Sequence, residues 1–502
     1  MTKTIVVLLL LAILSHPLPV YSVYESSCSL SVREYKRHQQ QQFITIDGID
    51  LGDGIEPPFY AYRTPDVTTF YETKAPPAAQ FVQPKHQGKA VKFINLSLNT
   101  LQIYWEASPK DHDRNQAILI RTIPPFQAKG TSSFPTHCFV IVRQDTGEVW
   151  KRVVINDDPH DNLIPADPFE ALTEDQRRLR VKQDLSPEDQ AMYWKWYKTI
   201  KFNHYYRQAT GRTYLSAYRR PPPQHFIWPA VYFQQQHWVV TPETHFRELP
   251  PNLEMVSLQK ESSIAFPEYR QQEPLNLTLT VLSCAPRALE ILNFLSPPEV
   301  QHILDIAHAS ELGESTLGDE KGHEKSRNVR TSRNTWVSRK QSAVVDAIYR
   351  RAADLLRINE AWLRPRGSEE DIVDPYDNNK SIAEDLQLVH YTAGAEYQAH
   401  HDFAYPPLKD ELHSARFATL LLYLNDGMEG GETSFPKFLN AHTFLDLRVK
   451  PEVGKAVLFY SQLPDGNMDE FSQHEARKVR TGEKWLTNLW VWDPVRNTAV
   501  WT

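Results

Sequence analysis

The chain has 502 residues, 41% of them hydrophobic and 23% charged, a composition that excludes wholesale disorder. That length leaves room for roughly three domains. The net charge of −7 gives no reason to expect a nucleic-acid partner.

Residues 1–22 read as a secretory leader. Lys3 precedes the apolar run IVVLLLLAIL, and VYS closes on a small residue suited to cleavage after Ser22. The run is too short to span a bilayer, and no later segment is long and apolar enough, so no stable membrane span is expected. Such a leader places the protein in the secretory pathway, in the endoplasmic reticulum lumen or secreted. The C-terminal VWT carries no retention tetrapeptide. In that compartment the sequons at Asn95, Asn276 and Asn379 are glycosylation candidates. The three cysteines, Cys28, Cys138 and Cys284, allow at most one disulfide.

Residues 23–87 carry QQQQ and many prolines, the composition of an irregular arm. Over 88–156 the pattern changes to short apolar runs (AVKFINLS, TLQIYWEA, AILIRTI, CFVIVRQ, EVWKRVVI) with turn signals between them, which predicts a small β-sandwich. Residues 157–285 are mixed. LSPEDQAMYWKWYKTI opens on Ser-x-x-Asp and reads as a helix, and RRPPPQHFIWPA breaks it. From 286 the elements are denser. In SPPEVQHILDIAHA, Ser296 and Glu299 are placed as a capping box ahead of apolar residues at helical spacing, and SAVVDAIYRRAADLLRI is a second helix. The runs LQLVHY, RFATLLLYLND, GKAVLFYS and KWLTNLWVWD follow as strands, which suggests helices packed on an antiparallel sheet or barrel.

The chemistry sits in EYQAHHDF, residues 396–403. DLQLVHY alternates as a strand, Gly394 breaks it, and the chain then resumes extended. On a strand, residues i and i+2 share a face, so His400 and Asp402 converge while His401 points away. Among the 19 histidines, His400 alone is followed two places later by Asp or Glu. A bare His-x-Asp is a weak signal whose bland alternative is a surface turn, so it needs a third ligand. Downstream, His413 falls in a charged loop and His442 has no basic partner at a useful distance. His474 has Lys484 ten residues on, followed by a strand. Two histidines and one carboxylate leave three positions open on a non-haem Fe(II). A basic residue beyond the distal histidine suits the far carboxylate of a chelating keto acid.

The stretches LQLVHYTAGAEYQAHHDF, RFATLLLYLND, GGETSFP, GKAVLFYSQLPDG and QHEARKVRTGEKW carry a resemblance in their order and spacing. Residues 286–495 resemble the catalytic domain of the prolyl 4-hydroxylases, Fe(II)- and 2-oxoglutarate-dependent dioxygenases built on a double-stranded β-helix (jelly-roll). The resemblance implies His400, Asp402 and His474 as iron ligands. It implies Lys484 as the partner of the 2-oxoglutarate C5 carboxylate, with Tyr391 and Thr433 assisting, and Arg416 near the peptide groove. Trp336, in RTSRNTWVS, fits a family pattern. Fe(II), with 2-oxoglutarate and O2 as co-substrates and ascorbate, follows from the same likeness. So does a proline-containing protein or peptide as the partner, hydroxylated at C4 of proline. The chain departs from the collagen-type enzymes in lacking an obvious helical-repeat peptide-binding domain and in placing Trp492 where some carry a further histidine.

A second resemblance covers VKFINLSLNTLQIYWEAS, RTIPPF and SSFPTHCFVIVRQDTG, which are similar to the β domain of the von Hippel–Lindau tumour suppressor, a binder of hydroxyproline peptides. It implies Ser133 and His137 as contacts for the hydroxyl group, whereas Ile120 and Phe139 replace that domain's tyrosine and tryptophan. The expected architecture is therefore a mixed α/β multidomain chain. It comprises leader 1–22, arm 23–87, von Hippel–Lindau-like sandwich 88–156, connecting region 157–285 and a dioxygenase domain at 286–497, a jelly-roll with flanking helices. The triad activates O2 without reading a substrate. The same chemistry on another residue or a small molecule thus stays open, as does a hydroxyproline-binding protein whose oxygenase fold is a scaffold.

Overall fold

The computed structural model describes residues 89–106, 117–156, 163–210, 214–215, 223, 225–231, 233–253, 264–315, 330–365, 380–403, 415–438 and 447–493, with a short ladder between 43–45 and 60–62. The expected leader, most of the arm, Cys28 and Asn379 lie outside the described residues.

Two sheets form the N-terminal unit. Strands β1 (Lys89–Asn95), β4 (Ala128–Ser133) and β7 (Leu163–Ala166) make one, in the order β4-β1-β7. Strands β2 (Leu101–Glu106), β3 (Ile118–Ile123), β5 (Cys138–Arg143) and β6 (Val149–Val154) make the other, in the order β3-β2-β5-β6. Val91 and Phe93 from the first meet Leu101, Ile103, Phe139 and Ile141 from the second in one core. This unit runs past residue 156, where the sequence reading ended it, because β7 pairs in parallel with β1. No hairpin signal marks such a pairing, since it joins residues far apart in the chain, such as Lys92 and Leu163, rather than the two arms of a turn. Helices α1 (Glu174–Asp184) and α2 (Pro187–Thr210) then cover the first sheet, where Val181, Tyr193 and Trp196 pack on Ile94, Leu96 and Phe126. The Ser186 hydroxyl accepts from Asp189 N at 3.2 Å, so the Ser-x-x-Asp start works as a cap. Cys138 carries a free thiol and Cys284 is disulfide-bonded.

The C-terminal part is mostly β and is consistent with the jelly-roll of a 2-oxoglutarate oxygenase. Its major sheet has nine strands in the order β8-β9-β10-β19-β15-β22-β13-β12-β11. In chain order these are β8 (Gln236–Thr241), β9 (Leu275–Cys284), β10 (Arg287–Ile291), β11 (Gly313–Glu314), β12 (Arg333–Val337), β13 (Leu386–Tyr391), β15 (Ala415–Tyr423), β19 (Ala456–Tyr460) and β22 (Lys484–Asp493). Two of them, β8 and β9, precede residue 286, so the sheet begins before the boundary drawn from sequence. The minor sheet is β14 (Tyr397–His400), β20 (His474–Ala476), β17 (Thr433–Phe435) and β18 (Leu447–Val449), in that order. A separate pair joins β16 (Glu429–Gly430) to β21 (Val479–Thr481).

The central strands of the major sheet are buried on both faces, and they divide their side chains by the period of two. Leu386, Leu388, Leu420, Leu422, Leu458, Leu489 and Val491 face helices α3 (Pro297–Ala309) and α4 (Ala343–Leu356), meeting Ile303, Ile348 and Leu355. Val389, Tyr391, Leu421, Tyr423, Val457, Phe459 and Leu486 face Phe435 and Val449 of the minor sheet. The capping box of Ser296 and Glu299 starts α3, and Glu299 also takes two hydrogen bonds from Arg351 of α4, at 2.8 and 3.0 Å. No helix among the described residues is long and apolar enough to cross a membrane.

Candidate active site

The two sheets of the C-terminal part hold between them a cavity of about 280 Å³. His400 ends β14, His474 opens β20, and the two are directly paired across the minor sheet, which brings their rings to 4.4 Å. Asp402 follows two residues after His400. Its carboxylate lies 3.9 Å from His400 Nε2 and 3.6 Å from His474 Nε2. These three offer ligand atoms all within 4.8 Å of one another, the one such group of three or more metal-ligating side chains among the described residues.

Hydrogen bonding fixes which nitrogen each histidine presents. His400 Nδ1 is 2.8 Å from the Gln398 carbonyl, and His474 Nδ1 is 3.0 Å from the Ser472 carbonyl. A carbonyl only accepts, so both Nδ1 atoms carry the proton and both Nε2 lone pairs turn toward Asp402. Burial first, and then His474, push His400 well below the ordinary histidine range, which keeps its imidazole neutral. Burial pushes the Asp402 carboxyl up, but His474, His400, Arg416 and the Thr419 hydroxyl outweigh it, so the carboxylate is held well below its usual range. Thr419 donates to Asp402 Oδ2 at 2.6 Å. His401 turns away, as strand alternation requires. Its Nε2–H donates to the Glu470 carbonyl at 3.0 Å, although its ring borders the cavity.

Lys484 opens β22, paired with Tyr391 at the end of β13. Its ammonium is fully buried, has no hydrogen-bond partner, and lies 5.5 Å from the Tyr391 ring and 5.6 Å from the Tyr423 ring. Burial pushes it down to about 7, with Glu432 acting in the opposite direction. Tyr391 and Thr433 line the cavity and Lys484 stands behind them. The Thr433 hydroxyl is 2.8 Å from that of Tyr423. A buried cation with no hydrogen-bond partner beside a cavity lined by hydroxyls is a matched receptor for a dianionic keto acid. Two neutral imidazoles facing one carboxylate suit ferrous iron. The residues present therefore fit both groups.

Arg416 also reaches the cavity. Its guanidinium grips Glu384 through two bonds of 2.6 and 2.9 Å and lies 3.6 Å from the Trp490 ring. Trp492 donates from Nε1 to the same carboxylate at 2.6 Å. Trp336 lines the cavity and is 49% exposed, so it is a wall residue and not part of the core. Ser133 and His137 are not brought here. They lie in the N-terminal unit, where Ser133 Oγ and His137 Nδ1 share one hydrogen bond at 3.2 Å.

A profile of the 2OG-Fe(II) oxygenase superfamily matches residues 386–492, from β13 through nearly all of β22. Probable prolyl 4-hydroxylase 3 of Arabidopsis thaliana is 32% identical over 223 residues, 42% of this chain and 71% of that protein. The chain belongs to the prolyl 4-hydroxylase family of 2-oxoglutarate- and Fe(II)-dependent oxygenases. Membership implies Fe(II), 2-oxoglutarate and O2. Prolyl 4-hydroxylase 5 of the same plant is 30% identical over 222 residues, 42% of this chain and 69% of the relative. Among solved structures, the viral collagen prolyl hydroxylase of Paramecium Bursaria Chlorella virus-1 aligns at 25% identity and a TM-score of 0.30, covering 41% of this chain and 95% of the other.

Several residues of this prolyl 4-hydroxylase-family site escaped the sequence reading. Tyr397 stacks on His400 at 3.6 Å, and the Arg330 guanidinium lies over the Tyr397 ring at 4.6 Å. Neither has a local signal, because the stack depends on an irregular register between β14 and β20 and on a bridge from Arg330 to Tyr397. Thr419 did leave a signal: it is a hydroxyl inside the apolar run FATLLLY.

Proposed function

We propose that His400, Asp402 and His474 hold Fe(II), that Lys484 receives the C5 carboxylate of 2-oxoglutarate with Tyr391 and Thr433 beside it, and that the protein hydroxylates peptidyl proline at C4. The observation that carries this reading is the convergence of two Nε2 lone pairs and one carboxylate in a cavity backed by a partnerless buried ammonium. Relatives named prolyl 4-hydroxylases support the choice of substrate. Iron held there, with O2 and the oxidative decarboxylation of 2-oxoglutarate to succinate and CO2, supplies an oxidant able to remove hydrogen from an unactivated carbon.

The chain's own groups set the conditions for that chemistry. Asp402 contributes a negative charge, held ionised against the effect of burial chiefly by His474, His400 and Arg416, and oriented by Thr419. The two Nδ1 hydrogen bonds lock the imidazole planes. Lys484 neutralises the far end of the keto acid, and Leu421, Leu486 and Ala476 add apolar surface to the cavity lining, which limits water there. Trp336, 49% exposed, and Arg416 line the cavity on the side proposed to take a peptide. Ascorbate would serve as the reductant that keeps iron ferrous, and the reading of residues 1–22 as a secretory leader supports a substrate among secreted or lumenal proteins.

The assignment of ligands is tested by adding Fe(II) and 2-oxoglutarate under nitrogen. The charge-transfer absorption of a chelated keto acid is expected for the wild type and is lost in Asp402→Ala. An unchanged spectrum in the variant would remove Asp402 from the ligand set. Activity on a non-peptide acceptor, with none on proline-rich peptides, would keep the ligand set and replace the substrate.

A further inference from the structure

Of the three sequons, two fall on described residues, and the fold treats them in opposite ways. Asn95 is fully buried. Its Nδ2 donates to the carbonyls of Asn99, Ile123 and Pro124 at 2.7, 3.0 and 3.0 Å, and its Oδ1 accepts from Ser97 N and Oγ at 3.0 and 2.8 Å. A sugar on that nitrogen would remove a donor and occupy the space of the turn, so glycosylation of Asn95 and native folding of the turn exclude one another. Asn276 lies on β9 with an exposed side chain, and its sequon Thr278 is half-buried on the same face.

That face has an unusual neighbour. β8 is the edge strand of the major sheet, and β9 pairs with it so that Val240 is directly opposite Asn276 and Trp238 directly opposite Thr278. Trp238 is 59% exposed and Val240 67% exposed, while the alternate residues Val239, Leu277 and Leu279 are buried in the core. Side chains directly opposite in an antiparallel pair sit about 4.5–5.5 Å apart at Cβ, and diagonal ones about 7–8 Å. An apolar pair on an exposed edge strand is a site for unwanted strand addition unless something covers it.

We propose that Asn276 is an N-glycan acceptor and that the first N-acetylglucosamine units of the glycan lie over Trp238 and Val240. This rests on the secretory reading proposed above. The donor is a lipid-linked oligosaccharide diphosphate. Asn276 Nδ2 loses a proton and forms a bond to C1 of the sugar, and the C1–O bond to the lipid diphosphate breaks, the diphosphate leaving with the electron pair. The C–H face of an N-acetylglucosamine ring matches an indole face in size and polarity. The linkage also places it within reach of Val240 opposite and Trp238 on the diagonal.

The full chain would be expressed in mammalian cells twice, once with its own residues 1–22 and once with a host signal peptide ahead of residue 23. Deglycosylation by peptide N-glycosidase in heavy-oxygen water converts an occupied Asn to labelled Asp, read by peptide mass. Conversion at Asn276 and none at Asn95 is expected. Label at Asn276 only with the host signal would overturn the secretory reading and leave the site standing. An unconverted Asn276 in protein recovered from the medium would overturn the site. For the placement, hydroxyl-radical oxidation of Trp238 is expected to be several-fold slower in the glycosylated protein than in Asn276→Gln. Equal rates would overturn the contact with Trp238.

Discussion

At the scale of residues, the site is built from side chains whose partners leave one atom available. Thr419 uses its hydroxyl to fix one oxygen of Asp402 at 2.6 Å, so it holds the carboxylate in the plane the histidines require. Thr419→Val keeps the shape and removes that bond. We expect metal affinity, measured by Mn(II) titration, to fall about 10–100-fold, and an unchanged affinity would show the carboxylate to be oriented by other means. Lys484 gives a pH prediction. Burial sets its ammonium near 7, and binding a carboxylate requires the charged form. The affinity for 2-oxoglutarate should therefore be flat below pH 7 and weaken by about tenfold per unit above it, with proton uptake on binding. Calorimetry in buffers of different ionisation enthalpy measures the uptake, and Lys484→Arg should abolish the slope. His400, Asp402, His474 and Lys484 were legible because each is placed by local alternation or by a short offset. Arg330 and Tyr397 were not, because the stack of Tyr397 on His400 and of Arg330 on Tyr397 is made by pairing between distant segments.

At the scale of elements, α3 and α4 back the major sheet and are joined by a pair with no exposure at all. Glu299 caps α3 and receives Arg351 of α4, whose guanidinium also donates to the carbonyls of Glu243, Thr244 and Phe294. Burial pushes the Glu299 carboxyl up, but Arg351 more than offsets it and holds the group below its usual range. The stability it contributes is thus present above the unfolded carboxyl pKa and lost as pH falls. Arg351→Met would leave the carboxylate buried and unpaired, at a cost of about 3–5 kcal/mol. Urea unfolding at pH 7 measures this, and a loss under 1 kcal/mol, on the order of a surface pair, would contradict it. The capping box was readable from SPPE, and both helices from their apolar period. The burial of the strands on both faces was less so, since a continuous apolar run does not announce which residues face helices and which face a second sheet.

At the scale of the whole molecule, the N-terminal unit is tied through Leu215 to the segment between β19 and β20 that leads into His474. Lys92 Nζ donates to the Leu215 carbonyl at 2.9 Å, Leu215 N donates to Asn467 Oδ1 at 2.8 Å, and Leu215 packs with Phe403, Ala415 and Met468. Burial alone pushes Lys92 down to about 7. Between there and the unfolded lysine value near 10.4, the unfolded chain binds the extra proton, so stability rises with pH. Lys92→Met removes that contribution. Its stability relative to wild type should be most favourable below pH 7 and decline steadily toward pH 10, and parallel pH profiles would contradict the burial of a titrating ammonium. The central claim concerns the oxygenase itself. Its most direct test is succinate formed from 2-oxoglutarate with Fe(II), ascorbate and O2, with proline-rich peptides followed by mass spectrometry, wild type beside His474→Ala. The account predicts one oxygen gained on proline per succinate in the wild type and neither in the variant. A correctly folded wild type that binds iron but turns over no 2-oxoglutarate, with or without peptide, would contradict it.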